Sequence, residues 1–378
     1  MKTFKKTTAL LPRNKTQAFC YGLIVCIMAM IFTLIFTGCG NSETSREDGQ
    51  TTIIVRNWND YIHPDVIGLF EAEYPHIRVD YAYFVDNESL HTVLSRGAAE
   101  FDLVFPSDYM IERMISEEML NRINWDNIPN VSYLGERFRG LQYDPDDLYS
   151  VPYMWGTFGI LYNPQMLEDL GFDFENETVD SWEILWDERF SQNIFMYDIA
   201  RESFVVALQR LGYSANSTDI SELERARDSL IEQRPLVQAY VATDGMNKMI
   251  AEEGAMAAIY NGYAIWAIQY NPDLRFTVPK EGGMQWYDSM VIPNTSRNQA
   301  ETETFINFLL RPDIARMNAE FTRYSVSNMS AFELLSDDKR NDPVYWPSED
   351  VLANAETLSH LGEFVATFDN FWTQVLAS

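Results

Sequence analysis

The sequence predicts an α/β fold made of two domains, and three observations carry that expectation. The chain has 378 residues, more than one compact domain usually holds. Hydrophobic residues make up 46% of it and aromatics 14%, enough for each domain to bury a full core. Short apolar runs of strand type alternate with one-sided helical stretches along the body, which implies strand–helix–strand units and parallel pairing.

The first such unit is the most legible. Residues 51–55, TTIIV, form a short apolar run suited to a buried strand. His63-Pro64-Asp65 opens a helix with Val66, Ile67, Phe70 and Tyr74 on one face, and Pro75 stops it. Ile77, Val79, Tyr81 and Tyr83 then alternate with Arg78, Asp80 and Ala82, a strand pattern. Residues 101–105 (FDLVF) read as another buried strand and residues 110–120 (MIERMISEEML) as a helix. After a polar loop over 124–149 comes an extended, glycine-punctuated segment, VPYMWGTFGILYN. Residues 201–212 make a helix closed by Gly212, and 224–234 a surface helix. AMAAIY and FTV read as strands, TFINFLLRP and IARMNAEF as helices. The stretch KEGGMQWYDSMVIP, 280–293, reads as a Gly-Gly turn carrying Trp286, Tyr287 and Asp288 between two apolar runs.

The N-terminal end differs from this body. Lys2, Lys5, Lys6, Arg13 and Lys15 form a basic leader without an acid, and residues 16–38 carry no charge and centre on YGLIVCIMAMIFTLIF. That pattern describes a secretory signal over 1–38. The run Phe36-Thr37-Gly38-Cys39 resembles the bacterial lipobox, in which the cysteine is lipidated; Phe36 stands where that pattern usually has Leu. The alternative is an uncleaved transmembrane anchor, since the apolar run is long enough to span a bilayer. Either way the body lies outside the cytoplasm, tethered, with the polar, unpatterned stretch from 40 to 50 as a flexible linker. The other cysteines, Cys20 and Cys26, also lie in the leader, so the body has no thiol, disulfide or Cys-based metal site. The chain carries 28 basic and 56 acidic residues; removing the five basic residues of the leader leaves 23 against 56, a formal −33. Such a surface repels nucleic acid and attracts small cations.

Catalytic signatures are missing. No G-x-S-x-G, H-E-x-x-H or phosphate-cradling glycine loop occurs, and His63, His76, His91 and His360 stand at no ligand spacing. Carboxylates are plentiful, but nothing selects a pair for glycoside hydrolysis. What the sequence offers instead is three segments that join aromatics to an acid or an amide. They are Trp58, Asn59, Asp60 and Tyr61 after the first strand; Ser107 and Tyr109 after another strand; and Trp286 with Asp288. Loops after strands are where α/β folds place ligands. An alkylammonium ligand needs carboxylates for its charged ends, ring faces for cation–π contact and flat walls along its methylenes. The alternative for each tryptophan is that it fills a core at a loop base.

The words NWNDYIHP, FDLVFPSDYMIERM, DLYSVPYMWGTFGILYN, ARESFVVALQRLGYSANSTD, KEGGMQWYDSMVIP and FINFLLRPDIA resemble the spermidine/putrescine-binding proteins of bacterial ABC importers. The likeness runs from about residue 51 to the C-terminus. It implies a two-lobed fold of the periplasmic-binding-protein kind, each lobe a mixed sheet flanked by helices, the lobes joined by crossing hinge strands and closing on a polyamine. The expected lobes are 51–156 plus 287–330 and 157–286 plus 331–378. The implied function is a non-enzymatic, cofactor-free, lipid-anchored receptor that delivers its ligand to membrane permease subunits.

Carried over residue by residue, the resemblance makes Trp58 a stacking wall and Asp60 an anion near one amine, with Asn59 and Tyr61 beside them. Ser107 and Tyr109 would hydrogen-bond from the same lobe. Asp198, Arg201 and Glu202 match a motif in which the family usually has two adjacent acids; here the second is replaced by Ile199. Trp286 would stack on the ligand chain, Asp288 would pair with an ammonium, Tyr260 stands where the family often has Trp, and Tyr324 matches an aromatic of the closing rim. Other readings keep the fold but bind a sugar, thiamine or ferric ion. Readings of another class are an extracellular hydrolase, or a sensory or adhesive lipoprotein.

Overall fold

The computed structural model describes residues 49–378, and Thr51–Ser378 forms a compact unit. The leader, Cys39 and the tether up to residue 48 lie outside the described residues. No helix among the described residues is long and apolar enough to cross a membrane.

The first strand–helix–strand unit forms as its local pattern dictates. Strand β1 (Thr51–Asn57) and strand β2 (Ile77–Tyr83) pair in parallel from Thr51 opposite Ile77 to Asn57 opposite Tyr83. Helix α1 (Asp65–Glu73) joins them and buries Val66 and Phe70, one turn apart on one face. Pro75 follows its cap and has no amide to continue the helix. Helix α2 (Asn87–Ser95) starts at Asp86, whose carboxylate accepts the Ser89 amide at 2.6 Å, an N-cap bond. Strand β3 (Leu103–Val104) lies parallel to β1 on its other edge, and helix α3 (Asp108–Ser116) follows. That helix stops short of the expected residue 120 because Glu118 takes a left-handed φ of 56°.

The long strand β4 (Ser150–Tyr162) is buried along nearly its whole length. Beyond it come strand β5 (Ile194–Tyr197), helix α4 (Ala200–Arg210), helix α5 (Ile220–Gln233) and strand β6 (Val237–Val241). Strand β7 (Met256–Tyr260), helix α6 (Asn261–Tyr270), strand β8 (Arg275–Thr277) and strand β9 (Met284–Val291) follow. Helix α7 (Gln299–Leu309), helix α8 (Pro312–Thr322), strand β10 (Ser325–Val326) and the C-terminal helix α9 (Val365–Ala377) complete the main elements.

The sheet order is β2-β1-β3-β9-β4-β7-β5-β6, with β8 and β10 pairing along β4. One half holds the parallel strands β2, β1 and β3; the other holds the parallel strands β7, β5 and β6. Among the described residues, β4 and β9 are the strands that run between the two halves. They pair antiparallel from Ser150 opposite Val291 to Phe158 opposite Met284, with an irregularity at Pro152–Met154. Proline has no ladder donor to give there, so the bend falls where the sequence allows it. The far end of β4, Phe158–Tyr162, then pairs with β7. Each half buries its own aromatic packing: Phe70 against Phe305 and Phe308 in one, Phe204 against Phe368 in the other.

Candidate ligand-binding cleft

The site is assembled from strand ends on both halves of the sheet. At the end of β1 the Asn57 side-chain oxygen accepts the Trp58 amide at 2.8 Å and turns the chain. The Trp58 indole donates to the Phe105 carbonyl at 2.8 Å and packs on Phe84 at 4.5 Å between centroids, so the ring is fixed in place. Asn59 and Asp60 are exposed; the Asn59 amide donates to the Asp60 carboxylate at 2.9 Å, and Asp60 has a left-handed φ of 52°. Tyr61 turns inward, and its phenol donates to Asp288 Oδ2 at 2.7 Å.

After β3, Ser107 occupies the N-cap position of α3, but its hydroxyl does not cap the helix. It donates to Asp288 Oδ1 at 2.7 Å instead. The buried Asn87 side chain donates to Ser107 Oγ at 3.2 Å and to Tyr109 Oη at 3.1 Å. Tyr109 in turn donates to Glu88 Oε1 at 2.9 Å.

Trp286, Tyr287 and Asp288 are not on a turn. The Gly282–Gly283 turn ends before them, and all three lie inside β9, where aromatics pack well and the buried strand β4 supplies the ladder. The pleat then separates them. Trp286 and Asp288 share one face, while Tyr287 points to the other, among Phe138, Tyr143 and Trp155. Its amide is held there by Asp108 Oδ2 at 3.0 Å, and burial pushes the Asp108 carboxyl up to about 8. The sequence pair of two rings and an acid therefore divides into one ring for the cleft and one for the core.

Asp288 joins the segments after β1 and β3 to β9 in this candidate site. It is buried, and burial pushes its carboxyl up to about 7 even though the Ser107 and Tyr61 hydroxyls both favour the ionised form. Trp286 stands beside it in an aromatic box. Tyr324 meets it edge-on at 4.9 Å, Tyr260 at 6.0 Å, and Tyr61 meets Tyr324 at 5.7 Å. Two glycines make room for these rings. A Cβ on Gly156 would come within 2.7 Å of the Trp286 indole, and one on Gly262 within 2.0 Å of the Tyr324 ring. The Trp286 indole nitrogen is buried and has no hydrogen-bond partner among the described residues.

The other half contributes Glu202, in the first turn of α4. Tyr260 donates to its Oε1 at 2.7 Å, while its Oε2 is buried and has no partner among the described residues. Burial pushes this carboxyl up as well. Arg201 Nη2 donates to Asn216 Oδ1 at 3.2 Å, its guanidinium lies 4.8 Å over Phe368, and its Nη1 is buried with no partner among the described residues; burial pushes it down to about 10, against the charges of Glu202, Tyr109 and Asp108. Asp198 is exposed, its amide donating to the Val241 carbonyl at 3.2 Å, and Ile199 rather than Asp198 is the N-cap of α4.

Of the residues singled out from sequence, the structure brings Tyr61, Ser107 and Asp288 into direct hydrogen bonds. It sets Trp286, Tyr260 and Tyr324 in ring contact and links Glu202 to Tyr260. Asn59, Asp60, Asp198 and Arg201 make none of these bonds. Sequence reading missed Asn87 and Glu88. Their signal was the segment DNES, a helix start placed directly after β2, in the same position relative to its strand as the other two segments.

The sequence pattern described as bacterial extracellular solute-binding protein matches residues 98–355. The chain belongs to that family. This solute-binding protein is 33% identical over 338 residues to the spermidine/putrescine-binding periplasmic protein of Escherichia coli (strain K12), covering 89% of this chain and 94% of that one. It is 31% identical over 325 residues to a putrescine-binding periplasmic protein of the same organism, covering 82% and 86%. Among solved structures it matches the spermidine/putrescine ABC transporter substrate-binding protein of Streptococcus pneumoniae with a TM-score of 0.78 at 32% identity, over 87% of this chain and 99% of the other. The fold is thus the two-lobed α/β architecture of these solute-binding proteins, with β4 and β9 as the strands common to both sheet halves.

Proposed function

We propose that this solute-binding protein is a lipid-anchored receptor on the extracytoplasmic face of the membrane that captures a polyamine and passes it to the permease of an ABC importer. The observation that carries this reading is Asp288, a buried carboxylate oriented by two hydroxyls, two residues from Trp286 on the same face of one strand. An alkylammonium group would add a charge-assisted hydrogen bond to an acid already fixed in place, and the rings would line its methylenes. The names of the similar proteins point the same way. The lobes divide within β4 and β9 at residues 156/157 and 286/287, a reading supported by the pairing of Gly156 with Trp286. Lobe 1 is then 51–156 plus 287–330, lobe 2 is 157–286 plus 331–378, and both close on the ligand as rigid bodies. The receptor performs no turnover.

Calorimetric titration of residues 40–378 with putrescine, spermidine, maltose and thiamine tests the ligand class. Heat from the amines alone is the expected result; heat from maltose or thiamine alone overturns the reading. The pH dependence follows from the raised carboxyl of Asp288. In the ligand-free folded protein it holds a proton up to about pH 7, whereas an unfolded aspartate loses its proton near pH 4. Folding stability without ligand therefore falls as pH rises through that window, and is level above it. Amine binding has the opposite sign. It stabilises the carboxylate, releases a proton, and weakens as pH drops below 7, by up to about tenfold per unit for this one group. Titrations at pH 6 in buffers of different ionisation enthalpy should report the released proton. The anchor is tested by palmitate labelling, which Cys39→Ala should abolish.

A further inference from the structure

The end of the cleft around Glu202 is not explained by the residues the sequence selects. Glu202 Oε2 is buried and has no partner among the described residues, although its residue is only 9% exposed. Arg201, its neighbour in sequence, uses Nη2 on Asn216 and lies over Phe368; its charge favours the Glu202 carboxylate, yet it makes no hydrogen bond to it, and its Nη1 is buried with no partner among the described residues. Ile199, at the start of the same helix, is 45% exposed and has no acceptor to offer. A carboxylate of the other half of the sheet whose charge acts on Glu202 is on α2. Glu88 is exposed, and its Oε1 is bonded to Tyr109 Oη, leaving Oε2 open. Tyr109 is tied through Asn87 to Ser107, and Ser107 to Asp288, so one hydrogen-bonded chain runs from Glu88 to the centre of the site.

We propose that Glu88 is a specificity-determining ligand contact: with Glu202 Oε2 it forms a two-carboxylate seat for one terminal primary ammonium of the polyamine. This rests on the polyamine reading above. A primary ammonium has three N–H donors, so it can bridge Glu202 and Glu88 and still reach a water; an internal secondary ammonium has one fewer, and an acetylated terminus carries no charge. Burial is the main reason the Glu202 carboxyl is held up; the Tyr260 bond and the Arg201 charge draw it down, and the Glu88 charge pushes it up. A cation between the two acids removes both costs at once. The seat thus recognises the end of the ligand, while Asp288 and Trp286 recognise its body.

The test is calorimetry on residues 40–378, comparing the parent protein with Glu88→Gln, Glu88→Asp and Tyr109→Phe. The ligands are spermidine and its two monoacetyl isomers, each blocked at a different terminal nitrogen. Because Glu88 is exposed, Glu88→Gln should weaken spermidine by about tenfold rather than more. It should weaken one isomer equally and leave the isomer blocked at the seated end unchanged, with Glu88→Asp recovering part of the loss. Tyr109→Phe, which keeps the carboxylate and loses its hydrogen bond, should show no selectivity between the isomers. Unchanged spermidine affinity in Glu88→Gln overturns the seat, as does an equal loss for spermidine and both isomers. Failure of the parent protein to bind spermidine at all would overturn the polyamine reading itself, a result distinct from either of those.

Discussion

Asp288→Asn should weaken polyamine binding by roughly 2 to 5 kcal/mol, about 30- to 4,000-fold, the range for truncating one partner of a buried charge pair. The substitution is close to isosteric. The hydroxyls of Tyr61 and Ser107, both at 2.7 Å, can each rotate to accept from or donate to the new amide. What disappears is the negative charge alone. The ligand-free fold should not suffer, because burial already pushes the Asp288 carboxyl up to about 7 and its ionised form is the costly one. At pH 8 the variant should be at least as resistant to denaturant as the parent, while its amine affinity falls and loses the part of its pH dependence near 7 that Asp288 supplies. Calorimetry and urea unfolding on the same samples separate the two effects. Unchanged affinity would remove Asp288 from the site; unfolding would mean that the acid is structural.

Trp286→Ala should act on both stability and binding. The ring is 8% exposed, with Tyr324 at 4.9 Å on one side and Tyr260 at 6.0 Å on another. Gly156, against the indole, has no side chain of its own to fill the space the ring would leave. Removing a buried indole in such a setting costs about 3 to 5 kcal/mol of folding stability. Trp286→Phe retains an aromatic face and part of the volume, and should cost less on both counts. If Trp286 only fills the core, the two variants should lose stability and keep the affinity of the parent for spermidine. If it is a wall of the cleft, affinity should fall from Trp to Phe to Ala even where denaturant curves show the protein fully folded.

Elements whose pattern is local were legible in the sequence. The unit β1–α1–β2 could be read from the alternation of Ile77, Val79 and Tyr81 and the helix stop at Pro75, and α4 from its apolar face and Gly212. The segments after β1 and β3 were placed correctly because their strands precede them. Trp286 and Asp288 were identified as a pair but set on the wrong element. The glycines at 282 and 283 announce a turn, whereas the partner that makes the next residues a strand, β4, lies far away in sequence. Nothing local records such a pairing. The same limit hid Asn87, whose role depends on reaching Ser107 and Tyr109 across the fold. The motif around Asp198 marked Asp198, Arg201 and Glu202 as contacts, but the helix starts at Ala200 with Ile199 as its N-cap; Asp198 is left in solvent and Glu202, in the first turn, is buried.

A crystal structure of residues 40–378 with spermidine bound bears most directly on the proposed chemistry. An ammonium nitrogen about 2.7–2.9 Å from an Asp288 oxygen, with the methylenes laid along the indole of Trp286, is the arrangement expected. Ligand density elsewhere, with Asp288 still bonded only to Tyr61 and Ser107 and Trp286 touching nothing but its neighbouring rings, would contradict it.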